Sequence, residues 1–96
     1  MAAYLIADTQ LTDPEAYEEY KRKARPLAEQ HGGEYVVRGG DMTLKESELW
    51  SPSRLVVVRF PSVEKARAFY ESPEYQQALG ISRRSARRTV VIVEGV

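Results

Sequence analysis

Two nearly continuous apolar runs constrain the fold of this chain more than any other feature. They are LVVV at residues 55–58 and VVIV at residues 90–93. A strand with one face in water alternates apolar and polar residues, so a run without alternation predicts a strand that is covered on both faces. We therefore expect helices on one face of the sheet and a second apolar surface on the other.

The length of the chain limits what that second surface can be. The 96 residues fit one domain spanning residues 1–96, and they contain no internal repeat or linker. Because so short a chain leaves much of its surface unburied, the available cover is a second copy. We predict a homodimer whose sheets pack face to face or join as a barrel. The alternative is an unpaired sheet that exposes some of its valines.

The order of the expected elements is β-α-β-β-α-β, the ferredoxin-like α+β arrangement. For this arrangement we expect a four-stranded antiparallel sheet with its helices on one face. The expected strands cover residues 3–7, 34–38, 54–60 and 89–95, the second of them continuing through 42–49, and the expected helices cover 14–31, 62–72 and a piece that starts at 73.

The first helix carries both start and stop signals. Asp13 can cap it, Pro14 suits its first position, and Gly32 supplies the left-handed residue that ends it. Pro26 lies inside the helix, where it removes one backbone donor and should bend the axis. One face carries the residues expected to point inward, which are Tyr17, Tyr20, Ala24, Leu27, Ala28 and His31.

Two glycine pairs bracket the second strand in HGGEYVVRGG. A dinucleotide-binding loop needs its glycines after a strand and before a helix, and Gly32-Gly33 stands in the reverse order. We interpret the first pair as a helix stop and Gly39-Gly40 as a β-bulge or tight bend. A hairpin turn at RGGD and a phosphate-binding loop are the alternatives.

Composition argues against several classes of function. The 14 basic and 14 acidic residues balance, whereas nucleic acids and anionic membranes attract a broad basic surface. The chain has no cysteine and a single histidine, which excludes thiolate chemistry and makes a metal site unexpected. The N-terminus has neither a basic segment nor a long apolar one, unlike a signal peptide or a membrane span. We expect a cytoplasmic protein with no cofactor, no nucleic-acid partner and no membrane partner.

Four segments of the chain, TDPEAYEEY, HGGEYVVRGG, VVVRFPSVEKARAFYESPEYQ and VIVEG, form a pattern that covers nearly all of it. The combination of GG-x-Y/F-x-x-RGG with SPEYQ is its more specific part. Together these segments resemble the domain of unknown function 1330 family. The resemblance implies a small bacterial protein with a ferredoxin-like fold that forms a dimeric α/β barrel, and it implies no settled activity.

Two segments depart from the pattern of that family. LKESELWSP stands where the family often has a Leu-Glu-Gly-like step before the third strand. Ser82 stands where the family often has an arginine, seven residues after the tyrosine of SPEYQ, and Arg83 and Arg84 follow it. This leaves open whether such an arginine has a role in this chain.

We expect a site between the sheet and the helices. His31 is the only side chain whose ordinary pKa is near neutrality, which makes it the candidate for proton transfer. Arg38 is the candidate clamp for a carboxylate or phosphate. Tyrosines combine apolar rings with polar tips, and Tyr20, Tyr35 and Tyr70 are the candidates for ligand contact. The alternatives are a helix-end histidine in solvent, an arginine in a strand-end ion pair, and tyrosines that only fill the core or the dimer interface.

Three further features have structural interpretations. The expected strand order would bring Asp8 near Arg59, as an ion pair at a strand end. Trp50 lies in an expected loop and is large enough to fill a groove of a partner. The cluster RRSARR at residues 83–88 has arginines four apart, and we interpret it as a solvent-facing helical surface, with an anion or nucleic-acid site as the alternative.

Three functions remain open on the sequence alone. The first is a cofactor-independent enzyme that acts on a small organic molecule, by analogy with other dimeric α/β-barrel proteins. The second is non-catalytic binding of a small, partly apolar ligand, and the third is a structural or accessory dimer without a ligand. An enclosed pocket reached by His31, Arg38 and a tyrosine hydroxyl would favour the first two.

Overall fold

The computed structural model describes residues 1–96 and has the expected order of strands and helices. The strands form one antiparallel sheet, in which the first and third strands are central. The ferredoxin-like α+β fold is therefore confirmed. The elements are β1 (Ala3–Leu11), α1 (Pro14–Gln30), β2 (Glu34–Arg38), β3 (Leu55–Phe60), α2 (Val63–Glu71), α3 (Pro73–Ser85) and β4 (Ala86–Glu94), with the sheet order β2-β3-β1-β4.

The helix boundaries follow the capping residues in the sequence. The Oδ1 atom of Asp13 accepts a hydrogen bond from the backbone N–H of Ala16 at 3.2 Å at the start of α1. Gly32 follows α1 with a φ of 81°, in the left-handed region that ends helices most readily on glycine. Ser62 caps α2 in the same way as Asp13 caps α1, through the N–H of Lys65 at 3.1 Å.

Ser72 joins two helices with one hydroxyl. Its Oγ donates to the carbonyl oxygen of Phe69 at 2.8 Å, at the end of α2, and accepts from the N–H of Tyr75 at 3.2 Å, in the first turn of α3. Pro73 then occupies the first position of α3, where a missing N–H costs nothing. This junction fixes the backbone of Tyr75 in the first turn of α3, and the side chain of Tyr75 is buried in the core.

The second strand is followed by an irregular segment. Residues 40–47 have no regular secondary structure, so the predicted continuation of the strand through 42–49 is wrong. Gly39 turns the chain with a φ of 72°, while its N–H still donates to the carbonyl oxygen of Leu55 at 2.9 Å. The predicted bend at the glycine pair is therefore present, and the β-bulge lies upstream of it, between Tyr35 and Val37.

One face of the sheet packs against the helices and forms the core. Along β1 the residues Ala3, Leu5, Ala7 and Thr9 are buried, while the residues between them are only half-buried. This alternation is the strand period of two. The hydrophobic core consists of Ala3, Leu5, Ala7, Tyr17, Tyr20, Ala24, Ala28, Val58, Phe60, Ala66, Phe69, Tyr75, Ala78, Leu79, Ile81 and Ala86.

The opposite face of the sheet is apolar and has no helix on it. The register places Ile6 opposite Val57 on one side and Val91 on the other, and Tyr4 opposite Val93. Side chains at opposed positions share a face, so these residues form a continuous surface. Val91 is 47% exposed and Val93 is 48% exposed in the single chain. We call this surface, made of Tyr4, Ile6, Val37, Leu55, Val57, Val91 and Val93, the open sheet face.

Candidate functional site

A pocket of about 70 Å³ lies between the helix-covered face of the sheet and the three helices. Strand residues form one wall and residues of α1 form the opposite one. Most of the lining is apolar or aromatic, as is usual for sites that take small organic molecules. The lining residues are Leu5, Ala7, Tyr17, Tyr20, Lys21, Ala24, Arg25, Tyr35, Arg38, Arg54, Val56, Val58, Phe69, Tyr75 and Arg88.

Arg88 and three tyrosine hydroxyls form the polar end of the pocket. The Nη1 atom of Arg88 donates to the hydroxyl of Tyr20 at 2.8 Å and to that of Tyr17 at 3.3 Å, and its Nη2 atom donates to the hydroxyl of Tyr75 at 2.9 Å. The hydroxyls of Tyr20 and Tyr75 also bond to each other at 2.8 Å. The tyrosines are at most 7% exposed, so this polar group lies within the core. We call Tyr17, Tyr20, Tyr75 and Arg88 the Arg–Tyr cluster.

The local structure explains how the cluster assembles. Tyr17 and Tyr20 are one helical turn apart on α1, and their rings lie 4.9 Å apart. Arg88 stands opposite Thr9 in the pairing of β4 with β1, and Thr9 is buried on the helix-covered face. The strand period therefore turns Arg88 inward, where its guanidinium lies 5.0 Å from the centre of the Tyr20 ring.

The prediction that residues 83–88 form one solvent-facing helical surface is wrong in its second half. Helix α3 ends at Ser85 and β4 begins at Ala86, so the spacing of four no longer places arginines together. In the strand, Arg87 is exposed and Arg88 is turned into the pocket. Counting back by twos from Val90 and Ile92 would have given this orientation, because those residues share a face with Arg88.

Burial and the contacts within the cluster together determine the charge states of Tyr20 and Arg88. Burial and the adjacent Tyr75 raise the pKa of Tyr20 far above its usual value, although Arg88 acts in the opposite direction. Burial alone would lower the pKa of Arg88, but the oxygens of Tyr20 and Tyr75 outweigh it and raise that pKa. Tyr20 is therefore a neutral hydroxyl and Arg88 a cation throughout the physiological range.

The charges around the pocket are unbalanced. Its lining contains five basic side chains and no acidic one. Two of the five have partners on α1, since Lys21 bonds Glu18 at 2.9 Å and Arg25 lies 3.8 Å from Glu29. The other three, Arg38, Arg54 and Arg88, have no carboxylate within ion-pair distance.

The β-bulge brings two predicted ligand contacts to the same wall. Residues three apart on a regular strand point to opposite faces, but the register shift after Tyr35 places both Tyr35 and Arg38 on the helix-covered face. Their partners across the sheet, Val58 and Val56, also line the pocket. The Arg38 guanidinium lies 5.7 Å from the centre of the Tyr35 ring.

The predicted site residues are divided between the pocket and its surroundings. Tyr20, Tyr35 and Arg38 line the pocket, whereas His31 and Tyr70 do not. The Nδ1 atom of His31 bonds the carbonyl oxygen of Leu27 at 2.8 Å, within the same helix end. Tyr70 packs its ring 5.1 Å from that of Tyr75, behind the pocket wall. The structure adds Tyr17, Tyr75 and Arg88, which lie in the same pocket.

The predicted ion pair between Asp8 and Arg59 is wrong. The antiparallel register places Asp8 opposite Leu55 and Arg59 opposite Tyr4, four residues apart along the sheet. Asp8 instead accepts hydrogen bonds from the irregular segment before β3. These come from the N–H of Ser53 at 2.8 Å, the N–H of Arg54 at 3.1 Å and the indole N–H of Trp50 at 3.0 Å.

The acidic and histidine side chains nowhere gather in a group of three or more that could hold a metal ion. No helix of the structure has both the length and the apolar character that crossing a membrane requires.

The fold and pocket define a ferredoxin-like protein with a cavity between its sheet and helices. The chain belongs to the family described as domain of unknown function DUF1330, whose model matches residues 2–96. The resemblance in the sequence is thus confirmed. No curated protein sequence matches the chain significantly.

Several solved structures share this fold. A protein of unknown function from Rhodopseudomonas palustris is 18% identical with a TM-score of 0.78, over 99% of this chain and 82% of that one. SnoaB, a cofactor-independent oxygenase from Streptomyces nogalater, is 10% identical with a TM-score of 0.70, over 99% and 93% of the two chains. A dimeric protein of unknown function from Bacteroides fragilis, with a ferredoxin-like fold, is 14% identical with a TM-score of 0.62, over 98% and 96%.

Proposed function

We propose that this protein binds a small organic molecule in the pocket between sheet and helices, as a homodimer in the cytoplasm. The observation that carries the proposal is the Arg–Tyr cluster at the end of an otherwise apolar pocket. Burying a cation among tyrosines costs free energy, and a structural core gains more from apolar side chains in the same place. Hydrogen bonds from the cluster to a bound ligand would offset this cost, which explains why the polar cluster is present.

Binding fits the pocket better than general acid–base catalysis. The pocket lining contains no histidine and no carboxylate, so it has no side chain whose ordinary pKa is near neutrality. His31 lies outside the lining and bonds its own helix, so we do not assign it the proton-transfer role.

A cofactor-independent enzyme is the second candidate function. One observation favours it: the cluster presents N–H and O–H donors that are held by buried side chains. Such donors stabilise negative charge that develops on oxygen in a transition state. SnoaB, the oxygenase of similar fold, is described as cofactor-independent, so this fold is compatible with such chemistry. In this reading Arg88, Tyr20 and Tyr75 stabilise a reacting oxygen, while Tyr35 and Arg38 position the rest of the molecule.

The homodimer is proposed from the open sheet face. Apolar patches that are continuous over several strands are uncommon on monomers. The strands of the face carry side chains such as Val91 and Val93 that are about half exposed in the single chain. Structures of similar fold from Bacteroides fragilis and from Jannaschia are described as dimeric. Trp50 bonds Asp8 on the same face of the sheet, so in the dimer it would lie at the interface rim.

A cavity-filling variant tests the binding function. Ala24 is buried in the pocket wall, and Ala24→Leu would fill part of the cavity without adding a charge. We expect small aromatic acids at saturating concentration to raise the melting temperature of the wild type by several degrees, because a ligand of the native state stabilises it. In Ala24→Leu this increase should fall by more than half.

The matched control is Ala68→Leu, which adds the same group at an exposed position of α2. It should retain the full increase in melting temperature. If no compound of a broad panel of small organic molecules raises the wild-type value, or if Ala24→Leu retains the increase, the pocket is not a binding site.

A further inference from the structure

We infer that the ligand of this pocket carries an oxyanion on a flat apolar body, and that the oxyanion bonds the Arg–Tyr cluster. The inference rests on the proposed function and adds the chemical class of the ligand. It depends on three properties of the pocket: unused hydrogen-bond donors, unbalanced charge, and aromatic walls.

The Arg–Tyr cluster contains more hydrogen-bond donors than the protein has acceptors for at this place. A guanidinium carries five N–H groups, and three of those of Arg88 are used on tyrosine hydroxyls. Each tyrosine hydroxyl has one proton, and only one proton is needed for the bond between Tyr20 and Tyr75. The remaining protons of the cluster, including that of Tyr17, have no acceptor among the protein side chains. These donors line the pocket, so they are available to an acceptor that the ligand supplies.

The charge of the pocket selects an anion among such acceptors. Arg88 keeps its charge with three neutral hydroxyls and no carboxylate beside it. A neutral carbonyl would satisfy a hydrogen bond but would leave the buried charge uncompensated. Arg38 and Arg54, also without carboxylate partners, add positive potential that attracts an anion to the pocket.

The aromatic walls of the pocket favour a ligand whose remaining part is flat and apolar. The rings of Tyr20, Tyr35, Phe69 and Tyr75 line the pocket, and flat rings pack well against flat apolar groups. The cavity of about 70 Å³ encloses only the acid end of an aromatic acid. The rest of the ligand would extend past Tyr35 toward Arg38, which is exposed at the end of β2. The apolar walls disfavour phosphate, because they offer no replacement for the hydration that most of its oxygens would lose on entering the pocket.

Matched pairs of an acid and its amide test this class directly. Benzoate with benzamide, and 1-naphthoate with 1-naphthamide, differ mainly in the charge of one group. We expect isothermal titration calorimetry to give at least tenfold tighter binding for each carboxylate than for its amide. Inorganic phosphate should bind more weakly than either carboxylate.

Variants assign the preference to the cluster. Arg88→Met should weaken benzoate at least tenfold and change benzamide less than threefold, so that the preference disappears. Arg67→Met removes an exposed arginine of α2 outside the pocket and should leave both affinities unchanged. If Arg88→Met fails to fold, Arg88→Lys keeps the charge but not the fork of donors, and it should lower the carboxylate preference severalfold.

The outcomes separate the inference from the function on which it rests. If amides bind as tightly as acids, the oxyanion part of the inference is wrong. If phosphate binds tightest, the flat apolar body is wrong. In both cases the pocket remains a binding site. If neither acids nor amides bind, the proposed function itself fails and the inference fails with it. If Arg67→Met lowers the carboxylate affinity as much as the Arg88 variants, the preference reflects overall charge, and the assignment to the cluster is overturned.

Discussion

At the scale of single residues, Asp8 shows how one carboxylate holds an irregular segment in place. Partial burial opposes its ionisation, but hydrogen bonds from the N–H groups of Ser53 and Arg54 and from the indole of Trp50 outweigh that effect and lower its pKa. Arg54 lines the pocket and directly precedes β3, so Asp8 also fixes one rim of the pocket from the other side of the sheet.

This arrangement predicts a pH-dependent loss of stability. A carboxyl group whose pKa is lower in the folded state stabilises that state above its unfolded pKa of about 3.9, and the contribution is lost as the pH falls through the folded value. We expect Asp8→Asn to lower the free energy of unfolding by about 1 kcal/mol at pH 7. The amide keeps one acceptor oxygen, so the N–H groups of Ser53 and Arg54 would bond a neutral oxygen and the indole of Trp50 would lose its acceptor. Urea unfolding at pH 7, 5 and 3 should show the difference from wild type narrowing toward pH 3.

The control for this prediction is Asp41→Asn, which removes a carboxylate at an exposed position. It should change the free energy of unfolding by less than 0.5 kcal/mol, as is usual for exposed surface positions. A difference between Asp8→Asn and wild type that stays constant from pH 7 to pH 3 would show that ionisation of Asp8 contributes nothing.

At the scale of elements, Ser72 links the end of one helix to the start of the next, and through Tyr75 to the pocket. Its hydroxyl serves Phe69 in α2 and Tyr75 in α3 at once. We expect Ser72→Ala to lower the free energy of unfolding by about 1 kcal/mol, the usual cost of a lost helix cap, and the melting temperature by about 4–8 °C. It should also weaken ligand binding, because the hydroxyl of Tyr75 belongs to the cluster.

Ser62 provides the comparison for Ser72. It caps α2 through the N–H of Lys65 and has no bond to a residue of the cluster. Ser62→Ala should therefore cost a similar free energy of unfolding in thermal denaturation but leave the affinity for benzoate unchanged. Equal effects of both variants on benzoate affinity would show that the Ser72 junction does not position Tyr75.

The elements also show what local sequence signals can and cannot predict. Some signals act within a few residues: the caps at Asp13 and Ser62, the stop at Gly32 and the apolar runs. From these local signals the helices, most of the strands and the fold could be predicted. The bulge between Tyr35 and Val37 has no local signal, because it depends on pairing with β3. The orientation of Arg88 could be predicted only if the end of α3 was placed correctly at Ser85, so that Arg88 belongs to a strand. Successive side chains of a strand point to opposite faces, so an error of one residue would reverse the orientation.

The pocket depends on contacts that are distant in the sequence. The bond between Tyr20 and Tyr75 joins residues 55 positions apart, and the bond from Arg88 to Tyr17 joins residues 71 positions apart. Such distances follow from the packing of helices on the sheet, not from spacing along the chain. The sequence therefore predicted Tyr20 as a candidate ligand contact, but it did not identify Tyr17, Tyr75 or Arg88, the other members of the cluster.

At the scale of the whole molecule, the two faces of the sheet differ in what covers them. The helix-covered face lines the pocket, and in the homodimer that we propose the open sheet face packs against a second copy. A lysine within that face would have to lose its hydration in the dimer, whereas it would be harmless on a monomer. Val91 is about half exposed in the single chain and lies opposite Ile6 of β1, within the continuous apolar surface, so it is a suitable position for this substitution.

We expect wild-type protein at micromolar concentration to behave in light scattering as a particle of twice the 10.9 kDa chain mass. Val91→Lys should be monomeric under the same conditions, with dimer affinity lowered at least a hundredfold because the charge is buried without a partner. Ala68→Lys, on the exposed side of α2, should remain dimeric. A wild-type particle of single-chain mass, or a dimer that Val91→Lys leaves intact, would mean that the open sheet face is not the interface.

Because the pocket lies on the other side of the sheet, a folded Val91→Lys monomer should still bind benzoate, which would separate assembly from ligand recognition.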